Sequence, residues 1–238
     1  QSILNFLIMR IAEHRWFKEK FSEAVDSISD SLLAIRQGQL IGVSECELFL
    51  KKIFPSKIKR LKLLLMTFIK NYFSDASGLT DSEDNLNYFP RVFIDFLSYV
   101  VDPNKIKHKA FKGDQIKDGL IDDELLFLAH VEATREYMGQ VRDELNHMIS
   151  FERDPEKNKQ SIERFIGAMS GEATPFEVKQ FSQNLLKKLA GQKIKQRQID
   201  DALSSMKMIG IFEDWPKKPG HWRVGKLFKH SLNMKFRR

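Results

Sequence analysis

Ile211-Phe212-Glu213-Asp214-Trp215-Pro216-Lys217-Lys218-Pro219-Gly220-His221-Trp222-Arg223-Val224 is the stretch on which the fold class turns. Its two ends are rich in β-formers. Pro216 to Gly220 between them has to turn, because proline cannot donate to a strand ladder and glycine relaxes the backbone. A strand, a basic turn and a returning strand are predicted. Immediately upstream, Ile199, Leu203, Met206 and Ile209 recur at helical spacing from about Gln196, and Gly210 stands where a helix C-cap glycine belongs. Before that, Thr174-Pro175-Phe176-Glu177 reads as another helix start: a threonine cap, proline at the first position and Glu177 closing a capping box. Phe176, Phe181, Leu185, Leu186 and Leu189 make its apolar stripe, and Ala190-Gly191 ends it. Downstream, Gly225 releases the chain into one or two helical turns over 226–232. Helix, helix, hairpin and short basic helix is the outline of a winged-helix module.

The charge pattern sets this piece apart. From Gly171 onward there are 15 Lys and Arg against 6 Asp and Glu, a net +9 in a chain whose total is +7. The positive charge is therefore concentrated at this end, and residues 1–170 are slightly acidic. A basic winged helix places its second helix in a major groove and its wing on phosphates. The nucleic-acid contacts expected on that basis are Lys193, Lys195, Arg197, Lys217, Lys218, Arg223, Lys226, Lys229, Lys235, Arg237 and Arg238. The alternative is a solvated basic face on a module that packs against protein. Asp200 and Asp201, near the start of the second helix, repel phosphate and weigh against sequence-specific readout.

The rest of the chain reads as helices. Two apolar stripes fill residues 2–36, one with Leu7 and Ile11, the other with Phe17, Phe21, Val25, Ile28, Leu32 and Ile35. A loop over 37–43 precedes Ser44 and Glu47, which suit a capping box. Residues 56–73 carry a helical pattern whose first turns hold Lys57, Lys59, Arg60 and Lys62. Cations there oppose the helix dipole, so a functional basic patch or neighbouring acidic helices supplying counter-charge are the two readings. Residues 74–87 are polar, acidic and aperiodic, a linker pattern. A helix is expected from Tyr88-Phe89-Pro90-Arg91 to Val100, and a basic irregular loop over 105–119. A long helix then runs from Ile121-Asp122-Asp123-Glu124 to about His147. A last one spans about 160–169 after a charged turn. Strands are expected only in the final hairpin. The class is mainly α: a multi-helix bundle followed by a C-terminal winged-helix domain, divided as 1–78, 79–170 and 171–238.

Several chemistries find no motif here. Cys46 is the single cysteine, so an internal disulfide and a cysteine-cluster zinc site are excluded, and a reducing, cytoplasmic setting is compatible. The one Gly-Lys pair, Gly225-Lys226, precedes Leu227 where a phosphate-binding loop needs Ser or Thr. The six histidines are scattered without zinc spacing. Asp122-Asp123-Glu124 reads as a dipole-compensating helix start before it reads as a cation site. The longest apolar run, over 63–69, is far too short to span a bilayer, so no membrane partner is expected. Gln1 falls mid-pattern in a helical stripe, so the chain reads as a piece of a longer polypeptide.

From about residue 84 onward the order of features resembles the C-terminal region of bacterial P-loop ATPases related to the Orc/Cdc6 and STAND groups, several of which serve in anti-phage defence. The resemblance is carried by Tyr88-Phe89-Pro90-Arg91-Val92-Phe93-Ile94-Asp95-Phe96-Leu97, by Leu120-Ile121-Asp122-Asp123-Glu124-Leu125, by Ile209-Gly210-Ile211-Phe212 and by Trp222-Arg223-Val224-Gly225-Lys226-Leu227-Phe228. It implies that Arg91 senses a nucleotide γ-phosphate. Phe89 departs from the small residue usual before the Pro-Arg pair. It also implies a non-catalytic regulatory or interaction module whose partner is nucleic acid, a protein or the missing ATPase core. No cofactor is expected in this chain, while ATP and magnesium would belong to the parent protein. A self-contained DNA-binding protein with a helical dimerisation region and a protein-only adaptor are the alternatives.

Overall fold

The structure, a computed structural model, describes residues 3–73 and 90–236. The architecture is mainly helical with a few very small sheets. Two compact units are present. Among the described residues the first takes 3–73 and 90–133, and the second takes 134–236. The boundary between 133 and 134 falls inside a helix. No helix of the described residues is long and apolar enough to cross a membrane.

The first unit opens with α1 (Ile3–Glu13), α2 (Arg15–Lys20), α3 (Ser22–Asp26) and α4 (Ser29–Arg36). The two stripes of residues 2–36 are thus broken into four short helices. His14 makes the first break, because its Nδ1 accepts the Trp16 N–H at 3.2 Å and caps α2. The breaks let Phe17, Phe21 and Ile28 all turn inward. Helix α5 (Val43–Lys51) starts from Gly42 without a side-chain cap. Ser44 lies inside its first turn, and Glu47 pairs with Lys51 at 2.8 Å, so the expected capping box does not form.

Residues 57–64 are not α-helical; only a 3-10 turn, Lys59–Leu61, lies between two strands. They make an antiparallel pair, β1 (Lys57–Ile58) with β2 (Leu63–Leu64), and the helix begins only at α6 (Leu65–Tyr72). The physical reason is the charge: a helix from Ser56 would put Lys57, Lys59 and Arg60 on the wrong end of its dipole. The chain instead turns through Lys62 at φ 56°, and α6 starts beyond the cations. The Lys59 N–H donates to Asp123 Oδ2 at 3.1 Å, a bond between segments far apart in sequence.

Helix α7 covers Pro90–Val101, while Tyr88 and Phe89, where its start is expected, and the linker pattern of 74–87 lie outside the described residues. Inside the region read as irregular loop, β3 (Ile116–Lys117) pairs with β4 (Leu120–Ile121). The long helix is α8 (Asp123–Met148), whose start is capped by Asp122 Oδ1 accepting from the N–H groups of Glu124 at 2.8 Å and Leu125 at 3.1 Å. The core is aromatic: Phe73 stands edge-on to Phe93 at 4.9 Å and to Phe96 at 5.2 Å. His130 is buried against Phe68, Tyr72 and Phe73.

The second unit holds the end of α8, then α9 (Pro155–Ala168), which starts earlier than its apolar stripe implies because Asp154 Oδ1 accepts the Lys157 N–H at 2.9 Å. Next come β5 (Ala173–Thr174), β6 (Phe176–Glu177), α10 (Val178–Lys188), α11 (Gln196–Met208), β7 (Phe212–Asp214) and β8 (His221–Val224). A 3-10 turn, α12 (Lys229–Leu232) and β9 (Lys235–Phe236) close the unit. The three-stranded antiparallel sheet has the order β6-β8-β7, and β5 pairs in parallel with β9.

Thr174 to Glu177 is therefore strand and not a helix start. The Thr174 hydroxyl is buried and accepts the Val224 N–H at 2.9 Å, and Phe176 pairs with Trp222. Long-range sheet pairing has outcompeted a local cap. The expectation that strands occur only in the final hairpin fails for the same kind of reason in β1 to β6 and in β9: each is two residues long and depends on its partner, too short to show a period in sequence.

Candidate functional site

The site is built from α11, the β7–β8 hairpin and the start of α10. Helix α11 buries Ile199, Leu203 and Met206, the face its periodicity predicts. Its entry is anchored by Gln198: Oε1 accepts the Lys195 N–H at 3.0 Å, and Nε2 donates to the carbonyls of Ser150 at 3.0 Å and Phe151 at 3.2 Å. Asp200, read from sequence as a phosphate-repelling group, accepts from Ser182 of α10 and from Gln196 Nε2 at 3.0 Å. It ties α10 to α11.

The hairpin packs on the same helices through rings. Phe176 stacks on Phe181 with centroids 4.0 Å apart, and Phe212 meets Phe176 edge-on at 5.3 Å. Such pairs add about 0.5–1.5 kcal/mol each beyond the area they bury. Lys207, which sequence reasoning did not single out, reaches Asp214 at 2.7 Å and lies 4.7 Å from the centre of the Trp222 ring. No local spacing rule pairs the end of a helix with the strand that follows it, so this contact had no signal in the sequence.

The eleven cations proposed from sequence divide into groups. Lys193, Lys195 and Arg197 are exposed at the N-terminal end of α11, and Lys217 and Lys218 are exposed on the turn between β7 and β8. Arg197 lies 3.8 Å from Asp201 and is almost fully in solvent, so screening leaves little of that pair. Arg223 is taken up otherwise. It stands opposite Glu213 in the β7–β8 register and forms an ion pair with that buried carboxylate. Lys226 is half-buried on the 3-10 turn, Lys229 lies in α12, and Lys235 is exposed in β9. Arg237 and Arg238 lie outside the described residues.

Between α11, the start of α10 and the hairpin turn is an open groove of about 770 Å³ lined by Glu177, Lys179, Asp200, Ser204, Lys218 and Trp222, among others. Its charge is mixed, whereas the exposed charges at Lys193 and Lys195 just before α11 and at Lys217 and Lys218 on the hairpin turn are all basic. Arg91, the expected nucleotide sensor, is the second residue of α7 in the first unit and is exposed. His108 Nδ1 lies 2.8 Å from Glu132 Oε2, and Glu132 also accepts the His108 backbone N–H at 3.2 Å. That carboxylate holds the loop to α8. Among the described residues no three His, Cys, Asp or Glu side chains gather as a metal site.

Comparison with protein-family models, with curated proteins and with solved structures returned no match for this chain.

Proposed function

We propose that the second unit contains a winged-helix module that binds nucleic-acid phosphates through the start of α11 and the β7–β8 turn. The observation that carries this reading is chain order together with charge. A helix (α9), a strand (β6), two helices (α10, α11) and a hairpin (β7, β8) occur in that order, with β8 central in the sheet. The two elements that such a module presents to DNA carry exposed Lys193 and Lys195 on one side and Lys217 and Lys218 on the other. A helix N-terminus adds its own partial positive charge to the first pair. In this reading the module is the regulatory end of a larger P-loop ATPase, and Arg91, exposed at the start of α7, answers to the nucleotide of the absent core.

The test is a titration of labelled duplex DNA by the full 238-residue chain at several salt concentrations. Binding that weakens steeply with salt, and that is lost on reversing Lys217 and Lys218 to Glu, supports the reading. No binding at low salt removes it. ATP turnover by the pure chain, abolished by a substitution within it, removes the regulatory assignment.

The groove lined by Glu177 and Asp200 favours a second reading, a protein-only adaptor that takes a peptide there. Charge reversal at the turn would then disturb complex assembly and leave nucleic acid irrelevant.

A further inference from the structure

We infer that the first unit carries a separate phosphate-binding surface, formed by the β1–β2 turn and the 105–119 segment, that holds a nucleic-acid backbone. Two basic segments distant in sequence meet over the first turn of α8. Lys59 Nζ lies 3.9 Å from Asp123, Arg60 lies 3.6 Å from Glu124, and Lys109 reaches the same Glu124 at 3.0 Å. Three cations thus face two carboxylates. Lys57, Lys62, Lys107, Lys112 and Lys117 are exposed on the same two segments. No ion pair holds any of them among the described residues. The remaining local carboxylates do not offset this: Asp122 caps α8, Asp102 lies 3.8 Å from Lys105, Glu132 is taken up by His108, and Asp114 and Asp118 are left against five lysines.

The surface is held in place by specific contacts. The Arg60 guanidinium lies 4.3 Å from the centre of the Phe127 ring, and the Lys59 N–H donates to Asp123 Oδ2 at 3.1 Å, so the turn is held against α8. Lys62 occupies the left-handed region at φ 56°, where glycine is the low-strain residue. A lysine at that position, between the 3-10 turn and β2, puts an exposed cation on the connection against local backbone preference. Nucleic acid fits better than an anionic bilayer. The cations sit on short turns and not on an amphipathic helix, and Leu64 is the one large apolar side chain strongly exposed on these segments. A fixed guanidinium with an array of ammonium groups suits a row of phosphates.

The inference does not depend on the winged-helix reading, and the experiment separates them. The full chain is titrated against a labelled duplex and a labelled single strand from about 50 to 250 mM salt. Wild type is compared with the Lys57→Gln/Lys62→Gly/Lys112→Gln variant, with Lys217→Gln/Lys218→Gln, and with the combination. Melting curves establish that each is folded. The triple variant is expected to reduce the magnitude of the log K against log salt slope by about 2–3, in both backgrounds, and to weaken binding tenfold or more. An unchanged slope in the folded triple variant overturns the inference, as does preference for phosphatidylserine vesicles over nucleic acid. An effect of the triple variant alone sustains this surface and removes the hairpin-turn one. Should the triple variant fail to fold, Lys62→Gly decides. It is expected to melt at or above the wild-type temperature while binding more weakly, and wild-type affinity in that variant overturns the inference.

Discussion

The hydroxyl of Thr174 accepts a hydrogen bond from the backbone N–H of Val224 at 2.9 Å, with both groups buried. One side chain thereby links β5 to the last strand of the hairpin. Thr174→Val removes the acceptor and leaves a buried N–H unsatisfied, at a cost of about 1–3 kcal/mol. Thermal or urea unfolding measures it. Thr174→Ser keeps the oxygen and is expected to recover most of the loss; a serine variant as unstable as the valine one would locate the effect in packing instead.

Asn158 plays a similar part between α8 and α9. Its Oδ1 accepts the Phe151 N–H at 2.8 Å and the Glu152 N–H at 3.2 Å, and its Nδ2 donates to the Ile149 carbonyl at 2.8 Å. Asn158→Ala is expected to destabilise by about 2–3 kcal/mol, since three backbone groups lose a partner at a largely buried site. Asn158→Asp retains the acceptor but turns an oxygen toward the Ile149 carbonyl, and should unfold more easily than wild type as well. Urea midpoints of the two variants check both statements.

Lys207 and Asp214 form a pair of a different kind, since the lysine is about one-third exposed and the aspartate mostly so. Solvent screening limits their coupling to about 0.5–1 kcal/mol. A double-mutant cycle with Lys207→Met and Asp214→Asn at low salt should return a value in that range, shrinking as salt is added. A coupling several times larger would mean that the pair is screened less than its exposure implies.

Burial pushes the Cys46 thiol up from its ordinary 9.0 to about 11, with Glu45 adding in the same direction. The neutral thiol is therefore the form the fold prefers. Its contribution to stability is complete below the unfolded value near 9 and is lost as the pH rises toward 11. Wild type should lose stability relative to Cys46→Ala between those limits, measured as the difference in urea midpoint at each pH. Alkylation of the native protein at pH about 8 should be far slower than in denaturant.

Much of the helical layout was readable in the chain. The stripes around Leu7 and Ile11, Phe93 and Phe96, Phe165 and Ile166, and Leu203 and Met206 are buried as their spacing requires. The final hairpin follows its prolines and Gly220. Asp118-Gly119, both at positive φ between β3 and β4, is a hairpin signal that was present in sequence and passed over inside a basic loop. Residues 57–64 read as helix although their cations oppose its dipole, because the group that takes the Lys59 N–H, Asp123, is far away in sequence. The candidate site was legible as a set of residue types and not as a surface. Arg223 belongs to Glu213 and Asp200 belongs to Ser182 and Gln196 through contacts that no spacing announces.

The amino-acid sequence by itself determined where helices run and which end of the chain is basic, because hydrophobic period and net charge are local, additive properties. The tertiary structure alone decided that Thr174 to Glu177 is strand, that α8 serves both units, and which cations remain exposed once carboxylates have found them. Those outcomes are settled by groups brought together from distant positions. A two-residue strand or an ion pair has no period to read, and its energy exists only when its partner is in place.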